Sequence, residues 1–159
     1  MKNIRQILFA IALTCGAFAS FPMAEAHEIK AGKLVIHHPW IRQPVAGASV
    51  AAGFTTIDNT GSEDDTLLKA TVHGVPVVQI HEMKMEGETM KMSEMKDGLV
   101  IPAGKSVELK PKFSHLMMMG LKNTFMRGEL VEGTFTFAKA GTVDVDFEVV
   151  GPGDDGHKH

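Results

Sequence analysis

Residues 142–149 read Thr-Val-Asp-Val-Asp-Phe-Glu-Val, in which apolar and charged side chains alternate without a break. Successive side chains of an extended strand point to opposite faces, so Val143, Val145, Phe147 and Val149 would share one face and the acidic residues the other. The stretch therefore predicts a β-strand that buries one face and exposes the other to solvent.

Short apolar runs of the same kind recur along the rest of the chain. They are rich in Val, Ile, Phe and Thr, and they are separated by clusters of Gly, Pro, Asn and Asp, which favour turns. No segment shows a long repeat of 3.6 residues, which is the helical period. The pattern predicts an all-β domain, a β-sandwich of seven or more strands. Its other strands are expected at residues 33–37, 51–58, 66–72, 77–83, 107–109 and 128–137.

Residues 1–26 have the form of a secretory signal peptide. Lys2 and Arg5 precede an apolar run over residues 7–21, and Ala24-Glu25-Ala26 fits the small-x-small cleavage pattern. The run is shorter than the ~20 residues that span a bilayer, so we expect cleavage rather than stable membrane insertion. The mature protein would be periplasmic and would begin at His27.

The mature chain would hold 133 residues, and we expect residues 27–150 to form one monomeric β domain. It would carry 14 basic and 18 acidic side chains, a net charge of −4 with neutral histidines, which argues against a nucleic-acid partner. The single cysteine, Cys15, leaves with the signal, so neither a disulfide nor a thiolate metal site is expected. Thr14 is bulkier than the residue that normally precedes a lipidated cysteine, so lipidation is not expected. Residues 151–159, rich in Gly, Asp and His, predict a disordered tail.

Methionines are concentrated in one part of the chain: of the nine outside the signal, eight lie from Met83 to Met119. His81 and His115 lie in or beside this window, and each is followed two residues later by a methionine, Met83 or Met117. On an extended strand, residues i and i+2 share a face, with Cα atoms about 6.6–6.8 Å apart. An imidazole and a flexible thioether at that spacing can converge on one ion, and this soft donor set suits Cu(I) better than Zn, Mg or Ca.

Packing is the competing interpretation of these methionines, because methionine often fills irregular gaps in cores or forms adaptable contact surfaces. The methionines between residues 83 and 96, however, are interleaved with Lys and Glu side chains, which makes this segment a poor one to bury. Metal binding is therefore the stronger hypothesis. The sequence shows no nucleophile and base motif, and we do not expect an enzyme.

Two gaps of defined length separate His81, Met92 and the His115-Leu116-Met117 segment. His81 is followed by ten residues and Met92, and then by twenty-two residues and His115-Leu116-Met117. This pattern resembles that of the PCuAC (DUF461) family of periplasmic copper chaperones, in which the second gap is about twenty-one residues. The surrounding sequence resembles the family over nearly all of the mature domain, at residues 40–42, 51–54, 80–83, 90–92, 99–104, 109–111 and 115–120.

The resemblance implies a cupredoxin-like (immunoglobulin-like) β-sandwich that holds one Cu(I) ion through His81, Met92, His115 and Met117. It also implies a function, the delivery of copper to the copper centre of a respiratory oxidase, alongside a thioredoxin-fold copper protein. Periplasmic copper buffering or tolerance without a dedicated acceptor is the alternative.

The chain departs from the family pattern at two places. The second gap is one residue longer, and Lys112-Phe113-Ser114 stands where the family commonly has a Gly-Gly-aromatic turn. Because of the extra residue, Met90 or Met95 could be the ligand in place of Met92. Met83 is the first substitute ligand.

Further donors lie near both ends of the chain. His157 and His159, beside two aspartates, form a tail better matched to Cu(II) than to Cu(I). Cleavage after Ala26 would expose the amine of His27, a pair that can chelate Cu(II), and His37-His38 follows on the first predicted strand. A solvated chain start without metal is the competing interpretation of His27.

Overall fold

The computed structural model describes residues 28–154, which form eleven β-strands and no helix. The predicted all-β class is confirmed, and each predicted strand is present. The strands are β1 (Glu28–Ala31), β2 (Leu34–Arg42), β3 (Val50–Asn59), β4 (Asp65–Val72), β5 (Val77–Glu86), β6 (Thr89–Glu94), β7 (Leu99–Ile101), β8 (Ser106–Leu109), β9 (His115–Met119), β10 (Leu130–Phe137) and β11 (Gly141–Val150). Between residues 28 and 154, no helix has the length and hydropathy needed to cross a bilayer.

Hydrogen bonds join the strands into one continuous path. Its order is β6-β5-β9-β3-β2-β11-β10-β4-β7, with β1 paired to β2 and β8 paired to β3. Among the described strands, β11 and β2 form the one parallel pair, and the other pairs are antiparallel. At the far end of the path, β6 is hydrogen-bonded to β5 alone, so it forms an edge of the sheet.

The apolar faces along this path enclose one main core. Phe135 packs edge-to-face on Phe147, with ring centroids 5.6 Å apart, and both rings are fully buried. Ile41, Leu116 and Met118 contribute from the other half of the path. Among the described strands, every one except β6 supplies a buried residue to this core. The predicted sandwich is therefore confirmed, with β6 lying outside its packed interior.

The alternating stretch that predicted a strand forms β11. Val145, Phe147 and Val149 are buried, whereas Asp144 and Asp146 are exposed. The charged face is the solvent face, as the sequence predicts.

The chain leaves β11 through a turn at residues 151–154. Asp154 accepts a hydrogen bond from the backbone N–H of Gly151 at 3.2 Å, and it forms an ion pair with Arg127 at 3.1 Å. Residues 1–27, with the predicted signal peptide and His27, lie outside the described residues, as do residues 155–159 with His157 and His159.

One glycine is required where β10 lies between β4 and β11. A Cβ atom at Gly133 would lie 2.3 Å from the Thr71 carbonyl oxygen and 2.8 Å from Cε2 of Phe147. We expect Gly133→Ala to lower the free energy of unfolding by about 1–3 kcal/mol or more, because backbone and a buried ring must both move.

Chemical denaturation measures this effect. Glu132→Ala is the matched control, because Glu132 is exposed on the same strand, and its effect should stay within about 0.5 kcal/mol. Equal denaturation midpoints for the two variants would contradict the packing described here.

Candidate metal centre

The register of three neighbouring strands brings the predicted metal-binding residues together. His81 of β5 lies opposite His115 of β9, and Met83 of β5 lies opposite Met92 of β6. Met117 follows His115 by two residues and therefore lies on the same face of β9. The neighbouring residues Ile80 and Leu116 point the other way, into the main core.

The three methionines that the sequence left open occupy different places. Met92 lies in the row next to the two histidines, opposite Met83, whereas Met90 lies one row further away, opposite Met85. Met95 packs against the main core, and its backbone N–H donates to the Ile80 carbonyl at 2.8 Å. Of the three, Met92 is therefore the one placed beside the histidines.

The hydrogen-bond pattern also sets how closely these side chains approach. Antiparallel pairs alternate between hydrogen-bonded and non-hydrogen-bonded, and the latter have closer side chains, with Cα atoms about 4.5 Å apart. Because Ile80 and Met95 form a hydrogen-bonded pair, the alternation makes Met83–Met92 and Met85–Met90 non-hydrogen-bonded pairs. Two thioethers in such a pair can contact the same ion.

The His115 ring is buried and its orientation is fixed by a backbone hydrogen bond. Its Nδ1 lies 3.1 Å from the Phe113 carbonyl oxygen. Since a carbonyl can only accept, Nδ1 carries the hydrogen and Nε2 keeps a free lone pair, which is the arrangement typical of a metal-binding histidine. The turn that presents this carbonyl has Lys112 at φ 68°, a conformation that favours glycine.

The His81 ring shows the complementary tautomer. Its Nε2 donates to Oε1 of Gln79 at 2.9 Å. This leaves the lone pair on Nδ1, which is buried and has no hydrogen-bond partner within residues 28–154. The centroids of the His81 and His115 rings are 5.9 Å apart. An unpartnered buried nitrogen beside a second imidazole is the arrangement that a metal ion would complete.

Electrostatics favours the neutral form of His81 that coordination requires. Burial lowers the pKa of His81, and the proximity of His115 lowers it further, whereas Glu94, opposite His81 on β6, acts to raise it. Within residues 28–154, no group of three or more His, Cys, Asp and Glu side chains is placed to hold a metal. Met83 and Met92 form the cross-strand pair next to His81.

A second pair of histidines, His37 and His38, makes contacts away from the candidate centre. His37 Nε2 donates to Asp58 at 2.9 Å, and its Nδ1 lies 3.5 Å from Glu28. His38 occupies a bulge of β2 at φ 41°, 3.8 Å from the Glu148 carboxylate. Neither residue lies on the strands that carry the candidate centre.

Two residues that orient the imidazoles, Gln79 and Phe113, were not predicted from the sequence. Gln79 precedes His81 by two residues within a predicted strand, so its place on the same face could have been predicted from the strand period. The Phe113 carbonyl acts through the backbone, for which the sequence contains no side-chain signal.

An aromatic cluster and an apolar row adjoin the centre on the same face. Trp40 packs on Phe54 with ring centroids 4.4 Å apart, and Ala52, which pairs with Met117, packs against this cluster. Beyond Met117, exposed Val50 and Val77 flank Met119.

Comparisons with known proteins identify the family of this chain. The family model described as "Putative lipoprotein LpqE-like" matches residues 34–149. The chain belongs to this LpqE-like family. The "Putative lipoprotein Lxx21020" of Leifsonia xyli subsp. xyli (strain CTCB07) is 32% identical over 129 residues, which cover 81% of this chain and 74% of that protein.

Two solved domains are similar in structure. The copper-bound PCuAC domain from PmoF2 superposes with a TM-score of 0.68 at 28% identity, covering 79% of this chain and 99% of that domain. The metal-free PCuAC domain from PmoF1 gives a TM-score of 0.68 at 27% identity, covering 79% of this chain and all of that domain. The PCuAC family and the cupredoxin-like sandwich predicted from the sequence are confirmed.

We expect His81 of the metal-free protein to titrate below its ordinary pKa of 6.5. Because the unfolded chain would then bind the proton first, this residue should lower the stability of the fold as pH falls below 6.5, until the folded-state pKa is passed. NMR titration of the ring signals measures the pKa. His115→Gln should raise the pKa of His81, since one of the two causes that lower it is removed, and a wild-type value of 6.5 or higher would contradict this electrostatic account.

Proposed function

We propose that this protein binds one Cu(I) ion outside the cytoplasm and transfers it to another protein. The proposed ligands are His81, Met92, His115 and Met117, with Met83 as the first substitute. One observation carries the proposal: the free lone pairs of His81 Nδ1 and His115 Nε2 belong to adjacent rings on a sheet face that also presents thioethers.

The donor set matches monovalent copper. Thioether sulfur is soft and uncharged, and imidazole binds copper readily, so the mixed set favours Cu(I) over harder cations. Neither donor type can be lost to disulfide formation in an oxidising compartment. The similar PmoF2 domain is known in a copper-bound form, which supports copper binding by this chain.

Unequal burial of the donors suits transfer rather than permanent storage. His115 is 6% exposed and is held within the sheet, whereas Met92 is 46% exposed on the edge strand β6. An acceptor's ligand can therefore displace the Met92 sulfur from the solvent side while the imidazoles still hold the ion. Exposed Val50 and Val77 offer apolar contact area for a protein acceptor close to Met117.

The family resemblance favours one acceptor, the copper centre of a respiratory oxidase. A thioredoxin-fold copper protein is the companion that the same resemblance suggests. Copper buffering without a dedicated acceptor would use the same ligands. The phenotype of cells that lack the protein, and not the metal site, therefore distinguishes delivery from buffering.

Export through a signal peptide fits the proposed location. Cleavage after Ala26 would place His27 at the start of a periplasmic protein. The relatives named as putative lipoproteins suggest instead a lipid on Cys15, although Thr14 precedes that cysteine. The mass of the exported protein distinguishes these two processing routes. The tail histidines His157 and His159 are proposed to add weaker Cu(II) binding.

Substitution of methionine by leucine separates coordination from packing. Leucine conserves apolar character and approximate volume, so Met92→Leu and Met117→Leu should each change the unfolding free energy by less than about 1.5 kcal/mol. Both should weaken Cu(I) binding, measured by competition with a Cu(I) chelator. Met126→Leu is the control, because Met126 is 62% exposed and lies outside the strands of the site. Wild-type Cu(I) affinity in both ligand variants would exclude the proposed set.

The same variants test delivery in cells. A strain that lacks the gene should lose oxidase activity at low copper, and the wild-type or Met126→Leu protein should restore it, whereas the double variant Met92→Leu/Met117→Leu should not. Normal oxidase activity in the deletion strain would contradict delivery. If that strain were also sensitive to high copper, copper buffering would be the function instead.

A further inference from the structure

The two faces of the β5–β6 hairpin carry different kinds of side chain. Its loop is Gly87-Glu88, between Glu86 and Thr89. One face of the ribbon carries the charged residues Glu82, Lys84, Glu86 and Lys91, which form the ion pairs Lys84–Glu82 and Lys91–Glu86. The other face carries His81, Met83, Met85, Met90, Met92 and Glu94. We call this second face the thioether face.

Rows of donors follow one another along the thioether face. The outermost row is Met85–Met90, the next is Met83–Met92, and the third contains His81, which in turn faces His115. Successive rows are about 6.6–6.8 Å apart along the strand. The series therefore runs from the exposed tip of the hairpin to the half-buried His81 and the buried His115.

Packing does not account for the outermost row. Met85 is 60% exposed and Met90 is 44% exposed, and within residues 28–154 neither belongs to the main core or to the aromatic cluster. A methionine that remains this exposed contributes little burial free energy to the fold. Polar residues in the same positions would therefore stabilise the strand about equally well. Two exposed thioethers in a close cross-strand pair need another explanation.

We propose that Met85 and Met90 form a second Cu(I) site, weaker than the site at the histidines, through which the ion enters and leaves. This inference rests on the proposed function, since it names the route to the same centre. The pair is of the non-hydrogen-bonded type, so both sulfurs can reach one ion. The site is weaker because it offers two thioethers without an imidazole, at a position open to water.

Movement between the sites is ligand exchange. The ion leaves the sulfurs of Met85 and Met90 as it binds those of Met83 and Met92. It then releases the Met83 sulfur, keeps that of Met92, and binds the two imidazole nitrogens and the Met117 sulfur. Copper stays in the Cu(I) state throughout, and no electron or proton is transferred. Each row lies within one strand repeat of the next, so no large movement of the backbone is required.

An anaerobic Cu(I) titration of methyl-labelled methionine and the histidine rings tests the proposal by NMR. The first equivalent should shift the ring signals of His81 and His115, and the second should shift the methyl signals of Met85 and Met90. In the double variant Met85→Leu/Met90→Leu, the second binding event should be lost and the first should keep its affinity. Met126→Leu should behave like the wild type.

Loading kinetics provides an independent measurement. Transfer of Cu(I) from a chelator to the histidine site should reach the same end point in Met85→Leu/Met90→Leu as in the wild type, but several-fold more slowly. Because leucine keeps the apolar surface, a purely hydrophobic docking role would leave both the stoichiometry and this rate unchanged, and that result would overturn the proposal. Failure of the proposed function is distinguishable, since the first equivalent would then leave the His81 and His115 rings unshifted.

Discussion

The pairing of β5 with β9 is the contact on which the rest of the metal centre depends. It places His81 directly opposite His115, and the pairing of β5 with β6 then places Met83 opposite Met92. A slip of one residue in a strand would turn every side chain to the other face, so the register must be strongly fixed. The apolar residues Ile80 and Leu116 fix it, since each is fully or almost fully buried and burial of such a side chain stabilises the fold by about 1.5–3 kcal/mol.

The alternation of side chains on these strands therefore buries one face in the core and presents the candidate ligands on the other. On β9, Leu116 and Met118 are fully buried in the main core, whereas His115 and Met117 face the candidate centre. The histidines are held by the packed part of the sheet, and Met92 is carried by β6, an edge strand outside the core. In the proposed function, this division lets the two imidazoles hold the ion while an acceptor displaces the Met92 sulfur.

The sequence predicts the fold well where apolar residues alternate with charges, as in β11, and less well where methionine replaces the β-branched residues that usually mark a strand. For that reason β6 and β9, which carry Met92, His115 and Met117, were outside the predicted strands. The donor types and their spacing predict a Cu(I) site, and its ligand set stays a prediction. Only the register of the hairpin shows that Met92, rather than Met90 or Met95, lies beside the histidines. The tautomer of His115 depends on a backbone carbonyl, which a linear sequence does not display.

We propose that imidazole and thioether donors from three strands converge on one Cu(I) ion. X-ray absorption spectroscopy of the protein loaded with one equivalent of copper tests it directly, because nitrogen and sulfur neighbours scatter differently. We expect monovalent copper whose nearest neighbours include both imidazole nitrogen and thioether sulfur. A shell of nitrogen and oxygen alone, or one of sulfur without imidazole, would contradict it.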